Sequence, residues 1–462
     1  MKAMMITEIT EAVKGKLVQG DPMRKISGVS IDSRTIEKGQ LFIAIIGEQL
    51  DGHRYIQNAV DNGAGAVIAQ SQTELSGELP LIMVDNTTTA LQDLASYYRQ
   101  KFVQLPVVGI TGSAGKTSTK DMIAALLSKS FRVAKTQGNL NNYYGLPLTI
   151  LQLTGDEEIA VLEMGMSNLG EIDLLARIAR PRIGVITNVG AAHLENLGTI
   201  ENVARAKSEL IKALPDDGVA ILNYDNIYVR NMEKVFKGQK IIFYGLTEQA
   251  QLYPDELVLD HATGTSFTVN YQQERVSLVL NKPGQHNLYN ALAAIAVARE
   301  FKVGWPEIKT ALQQVEFSNL RWEIKELGDN IVLINDTYNA NPLSMQAALH
   351  TARNIAPGRV IAVLGAMLEL GQLEERAHRE LGQFICEQEI DRLISVGPLG
   401  ALIAEGAVEA GMEASRVFTR ENNQQASQLL LELLEKDDTV LIKGSRGNKM
   451  EEIVEVVLGR ED

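Results

Sequence analysis

The sequence predicts an α/β protein of three domains: a small N-terminal α/β unit, a central parallel-sheet domain with a phosphate-binding loop, and a C-terminal Rossmann-like α/β domain. Three observations point there. Apolar runs that read as buried strands alternate with amphipathic helical stretches from Val107 onward, and this alternation needs parallel strands joined by crossover helices. The alternation restarts near Ser318. One run, Val107 to Thr111, leads through glycines into Gly115-Lys116-Thr117 and a helical pattern, the order of strand, phosphate loop and helix.

Residues 1–84 hold short apolar pieces, Leu41 to Ile46 and Ala64 to Ala69, around a helical segment from Arg54 to Asn62. A helix over 88–102, with Leu91, Leu94, Ala95 and Tyr98 at i, i+3, i+4 and i+7, links this unit to a central domain over 85–317. There the predicted strands are Val107 to Thr111, Ile159 to Glu163, Ile183 to Thr187, Val219 to Asn223 and Ile241 to Tyr244, with helices Glu171 to Ala179 and Ile200 to Leu214 between them. From Leu252 to Leu280 the pattern turns to short β runs, an antiparallel edge, before a helix from His286 to Phe301. Residues 318–462 repeat the open α/β pattern. Its strands are Ile331 to Asn335, Val360 to Leu364, Arg392 to Val396 and Thr439 to Lys443, with helices from about Leu343, Leu373, Leu399 and Gln424.

Composition narrows the function classes. A net charge of −14 without a long Lys/Arg run argues against nucleic acid or an acidic membrane surface as the main partner. The first residues, Met1 to Glu8, lack the apolar core of a signal peptide, and no apolar run nears the roughly 18 residues of a membrane helix. A cytoplasmic monomer is expected. Cys386 is the single cysteine, which excludes a disulfide framework and a cysteine zinc site and suggests a buried structural thiol.

The loop carries the strongest chemical signal. Glycines at 112 and 115 let backbone N–H groups near phosphate oxygens, with Ser113, Ala114 and Ser118 completing the cradle. Lys116 reaches terminal phosphates, and the Thr117 hydroxyl suits magnesium. Where a generic phosphate loop has glycine, this chain has Ile110, which points to a subclass. Glu163 and His193 each follow a buried strand, where ligands of open α/β sheets gather. Glu163 reads as a magnesium ligand or an exposed loop carboxylate; His193 as a metal or phosphate contact or a plain polar residue. Lys207, on a helix, reads from composition as a solvated lysine. The run Asn139, Leu140, Asn141, Asn142 offers amides to a hydroxyl-rich ligand or forms Asx turns. Asp336 follows another strand and suits ribose hydroxyls, and the turn from Lys443 through Ser445 and Arg446 suits a carboxylate or phosphate.

Taken together, the loop from Thr111 to Thr117, Asn188-Val189 with His193, Ala206-Lys207, and His286-Asn287 with Asn290-Ala291 resemble the Mur ligase family, ATP-dependent amide-forming enzymes of peptidoglycan precursor synthesis. The resemblance spans essentially the whole chain. The run Asp336 to Pro342, Gly444-Ser445-Arg446, Asp32-Ser33-Arg34 and Asp51-Gly52-His53 look most like the branch that adds D-alanyl-D-alanine to UDP-N-acetylmuramoyl-tripeptide. The Asp-Asn-Pro-type motif of the branch that adds a diamino acid is not found, and folylpolyglutamate synthase shares the ATP core without such an N-terminal domain.

The resemblance implies ATP and Mg2+ as cofactors, a carbamylated Lys207 at a second magnesium, and Glu163 and His193 at the same metal site. It implies Asn287, Arg321 and Asp336 for ATP, Ser33 and Arg34 for the uridine diphosphate in residues 1–84, Asn139, Asn141 and Asn142 for the muramyl group, and Tyr338, Asn341, Ser445 and Arg446 for the peptide substrates. Two departures stand out: Ile46-Gly47-Glu48 where relatives have Lys-Gly-Glu, and Gly365-Ala366-Met367 where they have Gly-Asp-Met. They leave in question a basic contact to the nucleotide and an acidic role near residue 366. The rival readings are a sister Mur ligase and a nucleotide-switched binding protein.

Overall fold

The computed structural model describes residues 1–48, 50–71, 75, 77–260 and 264–459. Three sheets of the predicted α/β kind follow one another along the chain. The first has the order Lys16–Gln19, Leu81–Met83, Ala66–Ala69, Leu41–Ile43, Val29–Ser30, with only the edge strand Lys16–Gln19 antiparallel to its neighbour. Phe42, Val67, Ile56 and Ala59 pack on one face.

The linking helix is Thr87–Gln100. It starts where the Asn86 side chain accepts from Thr89 N at 2.8 Å, a cap that satisfies one of the free amides of the first turn. Leu91, Leu94, Ala95 and Tyr98 are all buried, as their helical spacing requires. The Tyr98 hydroxyl donates to Leu153 O at 2.6 Å, which fastens the helix to the central domain.

The nine-stranded central sheet runs Val133–Lys135, Ile159–Glu163, Val107–Thr111, Ile183–Ile186, Val219–Asn223, Lys240–Tyr244 and Leu252–Asp260 in parallel, then Gly264–Tyr271 and Glu274–Leu280 antiparallel. Strands covered by helices on both faces read as unbroken apolar runs. Every residue of Val107–Thr111 and Ile159–Glu163 is buried accordingly. The C-terminal sheet has the order Glu323–Leu327, Ile331–Asp336, Thr439–Lys443, Val360–Leu364, Arg392–Val396, Val417–Arg420, antiparallel only at Glu323–Leu327.

The sequence pattern missed the two edge strands Glu323–Leu327 and Val417–Arg420 and the helices Trp305–Leu312 and Glu451–Leu458. Both edge strands are largely exposed or half-buried, so neither carries an apolar run. Cys386 is a correction: it is half-buried, and its thiol faces Ala410 O at 3.3 Å. Among the described residues no helix is long and apolar enough to cross a membrane.

Candidate functional site

Strand Val107–Thr111 lies between Ile159–Glu163 and Ile183–Ile186. The chain leaves Val107–Thr111 for Val133–Lys135 on one side and leaves the adjacent Ile183–Ile186 for Val219–Asn223 on the other, which opens a crevice at the carboxyl ends of these strands. The phosphate loop fills that crevice, and Gly115 caps the helix Lys116–Leu127 at φ 79°. A Cβ at Gly115 would stand 2.5 Å from Asn290 Oδ1, and one at Gly112 would stand 1.8 Å from Thr187 Oγ1. Both positions therefore require glycine. The amides of Ser113 and Ala114 turn inward, donating to Asn188 O at 3.0 Å and Asn188 Oδ1 at 2.8 Å. Ser113 and Ala114 shape the loop, while the amides of Lys116, Thr117 and Ser118, which precede the first intrahelical donor, Thr119 N, are left for phosphate. Lys116 Nζ donates to Gly112 O at 2.8 Å.

Glu163 ends its strand 2% exposed. Its Oε2 accepts from the Thr117 hydroxyl and its Oε1 from Asn141 Nδ2, each at 2.8 Å. The exposed-carboxylate alternative is excluded, and both donors are neutral. Lys207 is 1% exposed, so the solvated alternative also fails. Among the described residues its Nζ has no hydrogen-bond or ion-pair partner, and burial, aided by the Lys116 charge, holds its pKa well below that of an ordinary lysine. Burial lowers the Lys116 pKa as well, against the opposing pull of Glu163. His193 Nδ1 lies 2.5 Å from Glu369 Oε2.

A cavity of about 430 Å3 runs from this loop to the C-terminal domain, inside the range of about 300–1,000 Å3 common for small-molecule sites. Ser113 through Ser118, Asn287, Arg321, Asp336 and Asn341 line it. Asn287 is buried and donates to Pro283 O at 2.8 Å. The Arg321 guanidinium stacks 4.1 Å from the centre of the Tyr338 ring. Asp336 carries one donor on each oxygen, Lys443 Nζ on Oδ2 at 2.5 Å and Trp322 N on Oδ1 at 3.2 Å, which leaves further lone pairs on both. Asn341 spans the domains, its Nδ2 donating to Ser113 O at 3.1 Å.

Other predicted residues lie apart from this cavity. Ser33 is buried and its carbonyl accepts from Asn62, while the exposed Arg34 pairs with Asp32 at 2.7 Å. Asn142 accepts from Gly145 N at 2.9 Å and so caps the next helix, and Asn139 lies in the same loop. Ser445 is buried, donating to Ala340 O and accepting from Leu368 N. Arg446 pairs with Glu451 at 2.7 Å.

Sequence reasoning missed Asp225, Trp322 and Glu369. Asp225 stands just past strand Val219–Asn223 and accepts from the Tyr289 hydroxyl at 2.8 Å, so the strand-end rule applied there would have found it. No comparable signal marks Trp322 or Glu369.

Fold and loop together define a nucleotide-binding α/β protein whose cavity is closed by a second α/β domain. The chain belongs to the Mur ligase family: it matches that family's catalytic domain over residues 25–99, the Mur ligase middle domain over 110–298 and the glutamate ligase domain over 320–446. It is 41% identical over 452 residues, 97% of either chain, to UDP-N-acetylmuramoyl-tripeptide--D-alanyl-D-alanine ligase of Bacillus subtilis (strain 168). Its fold is similar to MurF from Acinetobacter baumannii, with a TM-score of 0.91, 30% identity and 99% of each chain covered. It is also similar to MurF ligase from Thermotoga maritima in complex with ADP, with a TM-score of 0.82, 30% identity and 94% and 98% covered.

Proposed function

We propose that the protein is an ATP-dependent ligase that joins D-alanyl-D-alanine to UDP-N-acetylmuramoyl-tripeptide in peptidoglycan precursor synthesis. One observation carries the reading: Lys116 and Thr117 line a cavity between two domains, with Glu163 bonded behind Thr117 and the buried, unpartnered Lys207 within reach of the Lys116 charge. The relative from Bacillus subtilis, named for this activity and aligned over nearly the full length, supports the choice of substrates.

Carboxylate and amine do not condense spontaneously in water. In the proposed reaction a terminal carboxylate oxygen of the tripeptide attacks the γ-phosphorus, ADP leaves, and the resulting acyl phosphate is attacked by the dipeptide amine. Phosphate departs as the amide forms and the amine proton is lost to solvent. Lys116 and the first-turn amides of its helix hold the β- and γ-phosphates and offset their charge. The domain-spanning contact of Asn341 with Ser113 keeps the second domain over the site and limits water entry.

Magnesium fits the residues present. Thr117 and Glu163 offer hard oxygen donors side by side. Among the described residues no three His, Cys, Asp or Glu side chains cluster to hold a metal alone, which suits an ion that keeps waters and takes phosphate oxygens. When bound, it would stabilise charge on the transferring phosphoryl group. His193 is assigned to the same site, and Lys207 as a carbamate: its neutral amine, favoured by burial, adds CO2 and loses a proton, so an uncharged, unpartnered amine becomes an anionic ligand.

Ser33 and Arg34 are assigned to the uridine diphosphate, Asn139, Asn141 and Asn142 to the muramyl group, and Tyr338, Asn341, Ser445 and Arg446 to the peptides. Residues 1–84, 85–317 and 318–462 are assigned as the domains for UDP substrate, ATP and dipeptide. The protein is assigned as a cytoplasmic monomer.

Phosphate release tests the reading. It should require both UDP-N-acetylmuramoyl-tripeptide and D-alanyl-D-alanine; release indifferent to both would favour a nucleotide-switched binding protein, and release supported by a diamino acid or glutamate would favour a sister ligase. Lys207→Ala should abolish turnover, with partial rescue by a small carboxylic acid. Full activity without rescue removes the carbamate.

A further inference from the structure

Glu369 lies five residues beyond strand Val360–Leu364, in the C-terminal domain, yet its carboxylate contacts His193 of the middle domain. Its Oε2 stands 2.5 Å from His193 Nδ1. Its carbonyl accepts from Glu195 N at 3.3 Å, and Gly371, at φ 55°, packs so closely that an added Cβ would stand 3.1 Å from Glu195 Cα. His193 and Glu369 are both non-glycine residues in the left-handed region, at φ 56° and 63°. Such conformations persist where the surroundings impose them, and they gather at functional sites. The Lys116 charge also reaches the Glu369 carboxylate.

A histidine that binds metal through one ring nitrogen commonly gives the other to a carboxylate, which fixes the ring and its tautomer. With Nδ1 beside Glu369, Nε2 is the nitrogen left for a ligand. We propose that Glu369 is a positioning residue: carried by the C-terminal domain, it orients His193, so the metal side of the site is complete only when that domain is docked. The inference rests on the metal role assigned to His193. It gives the acidic function in the loop after Gly365 to Glu369, although Ala366 stands where relatives have aspartate.

Mn2+ titration of the full-length enzyme with ADP, read by electron paramagnetic resonance, tests the proposal without turnover. Glu369→Gln should weaken Mn2+ binding about tenfold, the usual scale for losing such a partner, and should raise the Mg2+ requirement more than it lowers kcat at saturating Mg2+. In a His193→Gln background the same change should add less than about twofold, because the carboxylate acts through the ring. Unchanged Mn2+ affinity in Glu369→Gln, or an equal loss in both backgrounds, overturns the proposal. If His193→Gln alone leaves Mn2+ binding intact, the metal role of His193 is what fails. Should Glu369→Gln fold poorly, Glu369→Asp keeps the charge one methylene short: a loss of about threefold or more supports the proposal, and wild-type affinity overturns it.

Discussion

The middle and C-terminal sheets each end a buried strand in a carboxylate, one behind the cavity-lining Thr117 and one lining the cavity itself, but they surround it differently. Glu163, at the end of Ile159–Glu163, is held by a hydroxyl and an amide, Thr117 and Asn141. Asp336, at the end of Ile331–Asp336, is held by the Lys443 ammonium, itself 3% exposed. Neutral donors fix a carboxylate in place without cancelling its charge, so Glu163 still attracts a cation. A buried lysine offsets that charge, and Asp336 offers the cavity hydrogen-bond acceptors rather than a cation site. Position at a strand end identifies both residues; the charge of the partner decides what each can do.

The sharpest way to break the comparison is to neutralise each carboxylate in turn. Glu163→Gln keeps the shape, with its carbonyl accepting from Asn141 and its NH2 donating to the Thr117 oxygen in a reversed bond, so melting should change little while kcat falls about 1,000-fold, the upper scale for losing one preorganised electrostatic contact. Asp336→Asn should do the reverse in kind. It strands the Lys443 charge and should cost about 3 kcal/mol in denaturant unfolding, and Asp336→Asn with Lys443→Met should recover most of that loss. If Glu163→Gln unfolds the protein and Asp336→Asn does not, the assignment of roles is inverted.

A smaller effect is expected at the loop. Gly115→Ala forces a Cβ toward Asn290 at 2.5 Å and a left-handed alanine, a backbone cost of about 1–2 kcal/mol. The KM for ATP should rise about tenfold.

The smallest effect is a pH slope. Burial holds the His286 pKa down to about 4, below its unfolded value. The unfolded chain therefore binds the proton first, and the stability that neutral His286 contributes is lost as pH falls from about 6.5 to 4. His286→Gln should flatten the unfolding free energy in that window relative to wild type; parallel curves would count against a buried neutral imidazole.

Much of this site is legible in the sequence because strand ends announce themselves. Apolar runs stop at Thr111, Glu163, Ile186 and Asp336, and a parallel sheet puts all such ends on one rim within a domain. Helical Lys207 was not legible from its neighbours, since burial from all sides is a tertiary fact and only the family resemblance drew attention to it. The engaged state of Asp336 depends on Lys443, 107 residues away in sequence. Glu369 depends on how one domain docks on another, which no local pattern encodes. The edge strands Glu323–Leu327 and Val417–Arg420 escaped because half-exposed strands lack the unbroken apolar run.

The central claim is that this rim passes a phosphoryl group to a carboxylate. The most direct test uses UDP-N-acetylmuramoyl-tripeptide labelled with 18O in its terminal carboxylate, with ATP and D-alanyl-D-alanine, and mass analysis of the inorganic phosphate released. An acyl phosphate leaves one carboxylate oxygen on phosphorus when the amine displaces it, so each phosphate should carry one 18O. Phosphate free of label, formed together with the amide product, would contradict the account.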